Sequence, residues 1–182
     1  MKYFKLQEAP EGKRGPQIMN WYGSFDVRNI RMEGFSKIPK RQLYMVEPVD
    51  PLIFTDIILF PFLLVSPEVK RVIEMYREQS FYREVILLNQ KTGESKLYYL
   101  PVLNETADLD VVERSYKNGR PAALAGRPEG TRFMVNRHIF WARDARRRHT
   151  IVSLDLAESI LKREAVGVGL KEVELYGKSR RP

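Results

Sequence analysis

Ten basic residues stand between Arg114 and Arg148: Arg114, Lys117, Arg120, Arg127, Arg132, Arg137, Arg143, Arg146, Arg147 and Arg148. Only Glu129 and Asp144 oppose them, so this stretch holds the whole +8 excess of the 182-residue chain and the remainder is neutral. Guanidinium and ammonium groups at that density neutralise phosphates or pair with carboxylates. Phe133, Phe140 and Trp141 are interleaved with Arg132, Arg137 and Arg143. Aromatics among arginines can stack the bases of single-stranded nucleic acid. They are also the residues enriched at protein interface hot spots. Arg137, Trp141, Arg143, Arg146, Arg147 and Arg148 are therefore the candidate partner contacts. A charge confined to one segment points to an acidic partner more than to general solubility.

Other chemistry finds less support. The chain has only two histidines, His138 and His149, and no Gly-x-Ser-x-Gly elbow, so no Ser-His-Asp set is legible. The two histidines could face one another across a hairpin with Asp144 near its turn, but zinc takes three or four ligands in tight spacing. Asp108 with Asp110, and Glu172 with Glu174, are spaced to share strand faces. Acid–base work would need them desolvated in a cleft. Gly177-Lys178-Ser179 ends like a phosphate loop, but Glu172 stands where the first glycine is required. No catalytic set, metal site or cofactor is expected.

The elements that would position these groups contain a repeat. Leu64-Val65-Ser66 recurs 87 residues later as Ile151-Val152-Ser153. Each serine is followed by apolar residues at helical spacing, Val69 and Ile73 in one copy and Leu156 and Ile160 in the other, and then by a β-like run. Each copy reads as strand end, serine N-cap, amphipathic helix and strand. Pro67 and Glu68 reinforce the first start, and Gly167 supplies a C-cap for the second helix. Tyr82 to Leu88 and Leu97 to Leu103 flank Lys91-Thr92-Gly93-Glu94 as a hairpin. Residues 2–6, Phe25 to Ile30, Gln42 to Val46 and Lys171 to Tyr176 read as strands. Phe133 to Trp141 and Arg148 to Val152 read as a second hairpin. Asp108 to Gly130 reads as a long loop, and 177–182 as a frayed tail. Strands outnumber helices, so the fold class is α+β with a mostly antiparallel sheet in one domain over 1–182.

Several of these strings resemble immunity-protein family eleven of bacterial polymorphic toxin systems. The resemblance rests on Phe54-Thr55-Asp56-Ile57, Leu64-Val65-Ser66 and Tyr98-Tyr99-Leu100-Pro101, then on Ile151-Val152-Ser153 and Gly167-Val168-Gly169-Leu170. Asn20-Trp21-Tyr22-Gly23 and Asp26-Val27-Arg28-Asn29 extend it. It implies a small cytoplasmic α+β protein encoded beside a secreted toxin, which protects the producing cell by binding that toxin. It implies no catalytic residues. The expected partner is thus a cognate toxin domain with an acidic face. Nuclease toxins are basic because they bind phosphate, so the sign of this chain's charge points away from a nuclease. The alternative is a nucleic-acid-binding module using residues 114–148.

Composition agrees with a cytoplasmic setting. The chain has no cysteine, which excludes disulfides and thiolate metal sites. The N-terminus alternates like a strand rather than carrying a leader. The most apolar stretch, Pro51 to Val65, is broken by Asp56 and Pro61 and is too short to span a bilayer.

Overall fold

Ser66 and Ser153 both cap helices, as their spacing predicts. Ser66 Oγ accepts the Val69 N–H at 3.3 Å, and Ser153 Oγ accepts the Leu156 N–H at 3.2 Å. The helices that follow are α1 (Pro67–Met75) and α2 (Leu154–Leu161). Each turns one apolar stripe inward, Val69, Val72 and Ile73 in α1 and Leu156, Ala157 and Ile160 in α2. The structure, a computed structural model, describes residues 1–9, 14–118, 120–121, 130–144 and 147–177.

The early strands are β1 (Tyr3–Glu8), β2 (Arg41–Met45), β3 (Ile57–Ile58), β4 (Leu64–Val65), β5 (Phe81–Leu88) and β6 (Ser95–Val102). Then come β7 (Glu105–Thr106), β8 (Leu109–Glu113), β9 (Tyr116–Lys117), β10 (Arg120–Pro121) and β11 (Thr131–Arg132). The last are β12 (Ile139–Arg143), β13 (Arg148–Ser153) and β14 (Val168–Gly177). The fold is α+β. Among the described residues one main sheet runs β2-β5-β6-β4-β3 and the other β11-β14-β1-β13-β12-β7, with β8 also on β14. Pairing is antiparallel except for β2 with β5 and β7 with β12.

The two copies of the repeat sit in the two sheets with matching register. In the first, Val65 pairs with Tyr99 and Tyr99 with Glu84. In the second, Val152 pairs with Phe4 and Phe4 with Glu172. Each unit is a two-strand hairpin, a helix and a return strand parallel to the hairpin's second strand, with an antiparallel strand between those two strands. In the first unit that middle strand, β6, follows in sequence; in the second it is β1, from the other end of the chain.

The units also brace each other. The Asp56 N–H donates to Val166 O, beyond α2, at 2.8 Å, and the Val166 N–H returns to Asp56 Oδ2 at 2.7 Å. The equivalent His138 N–H donates to Glu78 Oε1, beyond α1. Tyr76, ending α1, bonds Asp155 O and Ser159 Oγ of α2, both at 2.7 Å. One core therefore runs through Leu64, Ile73, Leu87, Tyr98, Ile139, Val152, Leu156 and Ile160. The far face of the second sheet is buried too, where Tyr3, Phe140, Ile151 and Val173 meet Leu109 and Val135. Truncating Phe140 to alanine in such packing costs about 3–5 kcal/mol.

Several expectations are corrected. Phe25 to Ile30 is not a strand: Asp26 Oδ1 accepts the Arg28 N–H at 2.9 Å and caps a 3₁₀ turn at Val27–Asn29, and a second follows at Met32–Lys37. The stretch read as a loop from Asp108 contains β8, which pairs with β14 from Val173 to Gly177, and the short β9–β10 pair; residues 119 and 122–129 of it lie outside the described residues. Phe133 to His138 is not strand, because the hairpin begins at Ile139. Helix α2 has no glycine C-cap: Glu164 takes the left-handed conformation at φ 56°, where Arg77 at φ 53° serves α1. Gly167, at φ 78°, instead lets the backbone pass Thr55, where an added Cβ would lie 2.5 Å from the Thr55 Cβ. Gly177 is paired with Leu109 and Thr131 rather than frayed, and 178–182 lie outside the described residues.

Candidate functional site

The 3₁₀ turn at Val27–Asn29, the β3–β4 loop and the end of the β12–β13 hairpin enclose an open groove of about 860 Å³. The two hairpins are the equivalent hairpins of the two units, so the groove lies between the units. Its walls carry Arg28, Arg31, Arg143, Arg147 and Arg148, and its floor is apolar, with Ile30, Phe62, Leu63 and Trp141. A second groove of about 470 Å³ adjoins it and shares Arg31 and Arg143. Beside it, Phe60 is 62% exposed and meets Trp21 edge-on at 6.1 Å, and Trp21 meets Tyr22 at 5.9 Å.

The groove is built on one fixed arginine. Alternation along β12 sends Ile139 and Trp141 to the main core and Phe140 and Ala142 to the opposite face. Arg148 comes from the neighbouring strand and lays its guanidinium over the indole at 4.2 Å. Its Nη1 donates to Ile30 O at 2.9 Å, and its Nε meets Glu105 Oε2 at 2.9 Å. Glu105 is shared, because Arg143 Nε meets its Oε1 at 2.6 Å. Burial holds the Arg148 guanidinium below the ordinary arginine range; repulsion from Arg143 and Arg31 adds to this, and Glu105 works against it. Glu105 offsets the repulsion from the two neighbouring arginines, so burial is what lowers Arg148. At the hairpin turn, Asp144 accepts the Arg147 N–H at 2.9 Å and the His149 ring at 2.7 Å.

Of the predicted contacts, Arg143, Arg147 and Arg148 line the groove together. Trp141 is corrected from contact to floor: it is 3% exposed, because its indole faces the core and Arg148 covers it. Arg137 is half-buried before β12, among residues that do not line the groove. Arg146 lies outside the described residues. Sequence reasoning missed Arg28, Arg31 and Glu105. The signal for the first two was Asp26 as a cap, which makes a turn of the segment and brings both arginines to its end.

The basic run of the sequence does not form one surface. Arg114 and Arg132 turn to the buried Glu174, whose carboxyl is held below the usual range by hydrogen bonds from Tyr176 and then Arg114. Glu172 takes the Tyr116 hydroxyl, so both Glu172 and Glu174 hold partners within the fold. Phe140 and Trp141 are buried and Phe133 is exposed. The histidines do not face each other: His149 pairs with Ala142, and the His138 ring bonds Ser153 Oγ at 2.8 Å. Among the described residues no group of three or more His, Asp or Glu is placed to hold a metal ion, and no helix is long and apolar enough to cross a membrane.

No protein-family model matches the chain, and no curated protein matches it.

Proposed function

We propose that this protein is a binding protein that neutralises a cognate bacterial toxin domain in the cytoplasm by direct contact. The observation that carries the reading is the groove, where five arginines gather over an apolar floor beside the exposed rings of Phe60 and Tyr22. Arginine and aromatic side chains are the groups that dominate interface energetics. Arg148 is already immobilised, so little of its rotamer entropy remains to be lost on binding. The family resemblance supplies the toxin as partner. Occlusion of the toxin's active site is the mechanism, with the positive groove steering an acidic face into place.

The test is co-purification with the C-terminal domain of the protein encoded by the neighbouring gene, read by size-exclusion chromatography. The expected result is a complex that survives moderate salt, and restored growth when both are expressed. A neighbour that is not toxic, or a toxic domain that elutes separately and still kills, overturns the reading.

A further inference from the structure

We infer that the groove between the two units seats an extended acidic segment of the partner polypeptide, with its carboxylates on Arg31 and Arg147 and an apolar side chain against Val27, Leu59 and Pro61 of the lining. This rests on the binding-protein reading above and specifies what the site grips.

Four observations carry it. The first is availability. Arg148 is committed to Trp141, Ile30 and Glu105, Arg143 to Glu105, and Arg28 to Asp26. Among the described residues no hydrogen bond or ion pair engages the side chains of Arg31 or Arg147. These two are exposed at the groove wall.

The second is charge. The larger groove is lined by five arginines and one carboxylate, Asp144, which accepts the Arg147 N–H and the His149 ring; the adjoining groove adds Glu33 and Glu105, the latter bridging Arg143 and Arg148. An incoming carboxylate gains charge-assisted, bidentate hydrogen bonds from Arg31 or Arg147.

The third is shape. A trough of about 860 Å³ that continues into another of about 470 Å³, with Arg31 and Arg143 common to both, is more than one small ion needs and suits a length of chain.

The fourth separates polypeptide from nucleic acid. Bases bind by stacking on free aromatic faces. Here Arg148 occupies the Trp141 face, and Phe62 packs against Phe25 and Tyr44 at 5.8 and 6.1 Å. The lining itself offers no free aromatic face; the exposed rings, Phe60 and Tyr22, stand beside it, and the oligonucleotide probe below measures what they add.

The test uses fluorescence anisotropy with the full-length protein. The probes are a labelled peptide of aspartates and glutamates around a central leucine and a thymine oligonucleotide of equal charge. The double variant Arg31→Ala, Arg147→Ala is compared with Lys117→Ala, Arg120→Ala, which removes the same charge from the β9–β10 pair. The expected result is about tenfold weaker peptide binding in the first variant and little change in the second. Equal losses in both variants would reduce the effect to net charge and overturn the proposal. Tighter binding of the oligonucleotide than of the peptide, lost in the groove variant, would overturn it in favour of nucleic acid. The two readings also fail separately. Undiminished capture of the toxin domain by the groove variant overturns the groove proposal alone. Peptide binding that depends on Arg31 and Arg147, in a protein that captures no toxin domain, overturns the toxin reading alone.

Discussion

Tyr98 and Tyr3 hold the same position in the two halves of the molecule. Each lies on the middle strand of its unit, Tyr98 opposite Val85 and Tyr3 opposite Val173. Each sends its hydroxyl to a backbone carbonyl just ahead of its unit's hairpin, Tyr98 to Thr55 O at 2.7 Å and Tyr3 to Val135 O. Burial raises both phenols above the ordinary tyrosine range, with Asp56 adding to the effect at Tyr98. Both therefore stay protonated donors.

Tyr98→Phe should cost about 1–2 kcal/mol, because it leaves the Thr55 carbonyl without its partner in a dry setting, and Tyr3→Phe should cost less, about 0.5–1 kcal/mol, because Val135 O still accepts the Arg137 N–H at 2.8 Å. The rings remain, including the Tyr3 edge contact with Phe140 at 5.9 Å, so the loss isolates the hydroxyl. Urea unfolding of the two variants and the double variant measures this. The double should lose the sum, since the tyrosines share no partner. An unchanged midpoint for Tyr98→Phe would show that the Thr55 carbonyl is satisfied without it.

The cap serines are equivalent but not equal. Ser66 Oγ holds the Val69 N–H, whereas Ser153 Oγ holds the Leu156 N–H and also meets the His138 ring. Ser66→Ala should cost about 1 kcal/mol, the usual worth of an N-cap. Ser153→Ala should cost more, by about 0.5–1.5 kcal/mol for the second hydrogen bond. Thermal or urea unfolding decides it. Equal losses would mean the imidazole contact adds nothing.

Acid should weaken the second sheet through its ion pairs. The Glu174 carboxyl is held low by Tyr176 and Arg114, and that of Glu113 by Lys5. A depressed folded value gives stability that is complete above the ordinary glutamate value of about 4.3 and is lost as pH falls through the lowered one. Glu174→Gln should therefore be less stable than the native protein at neutral pH. The gap should close below about pH 4. Urea midpoints measured across that range test the sign, and a gap that widens in acid would contradict it.

What was legible in the sequence was local. Ser66, Pro67 and the apolar spacing of Val69 and Ile73 specify a helix within one turn of chain, and the repeat at Ser153 does the same. The insertion of β1 between β13 and β14 pairs residues from opposite ends of the chain, which no window of sequence displays. Phe25 to Ile30 misled because six alternating residues satisfy a strand pattern while Asp26 caps a turn. The groove was half visible. Arg143, Arg147 and Arg148 lie in the basic run, but Arg28 and Arg31 come from a segment of ordinary charge, and only the fold joins them. Trp141 looked like a contact because charge surrounds it in sequence, and strand alternation turned it inward.

Glu105 makes the last prediction, opposite in sign to the loss expected at Arg31 and Arg147. It bridges Arg143 and Arg148, so it neutralises from within a groove proposed to receive a partner's acid. Glu105→Gln removes that competitor. Arg148 keeps its place through the Trp141 ring and Ile30 O. Stability should fall by about 1 kcal/mol, as for a half-exposed ion pair. Association with the acidic peptide should nevertheless become faster at low salt, and its rate should fall more steeply as salt rises, because steering follows the uncompensated charge. Stopped-flow anisotropy over a salt series measures both. Slower association would show that Glu105 serves to aim the two arginines, and that their geometry matters more to the groove than its charge.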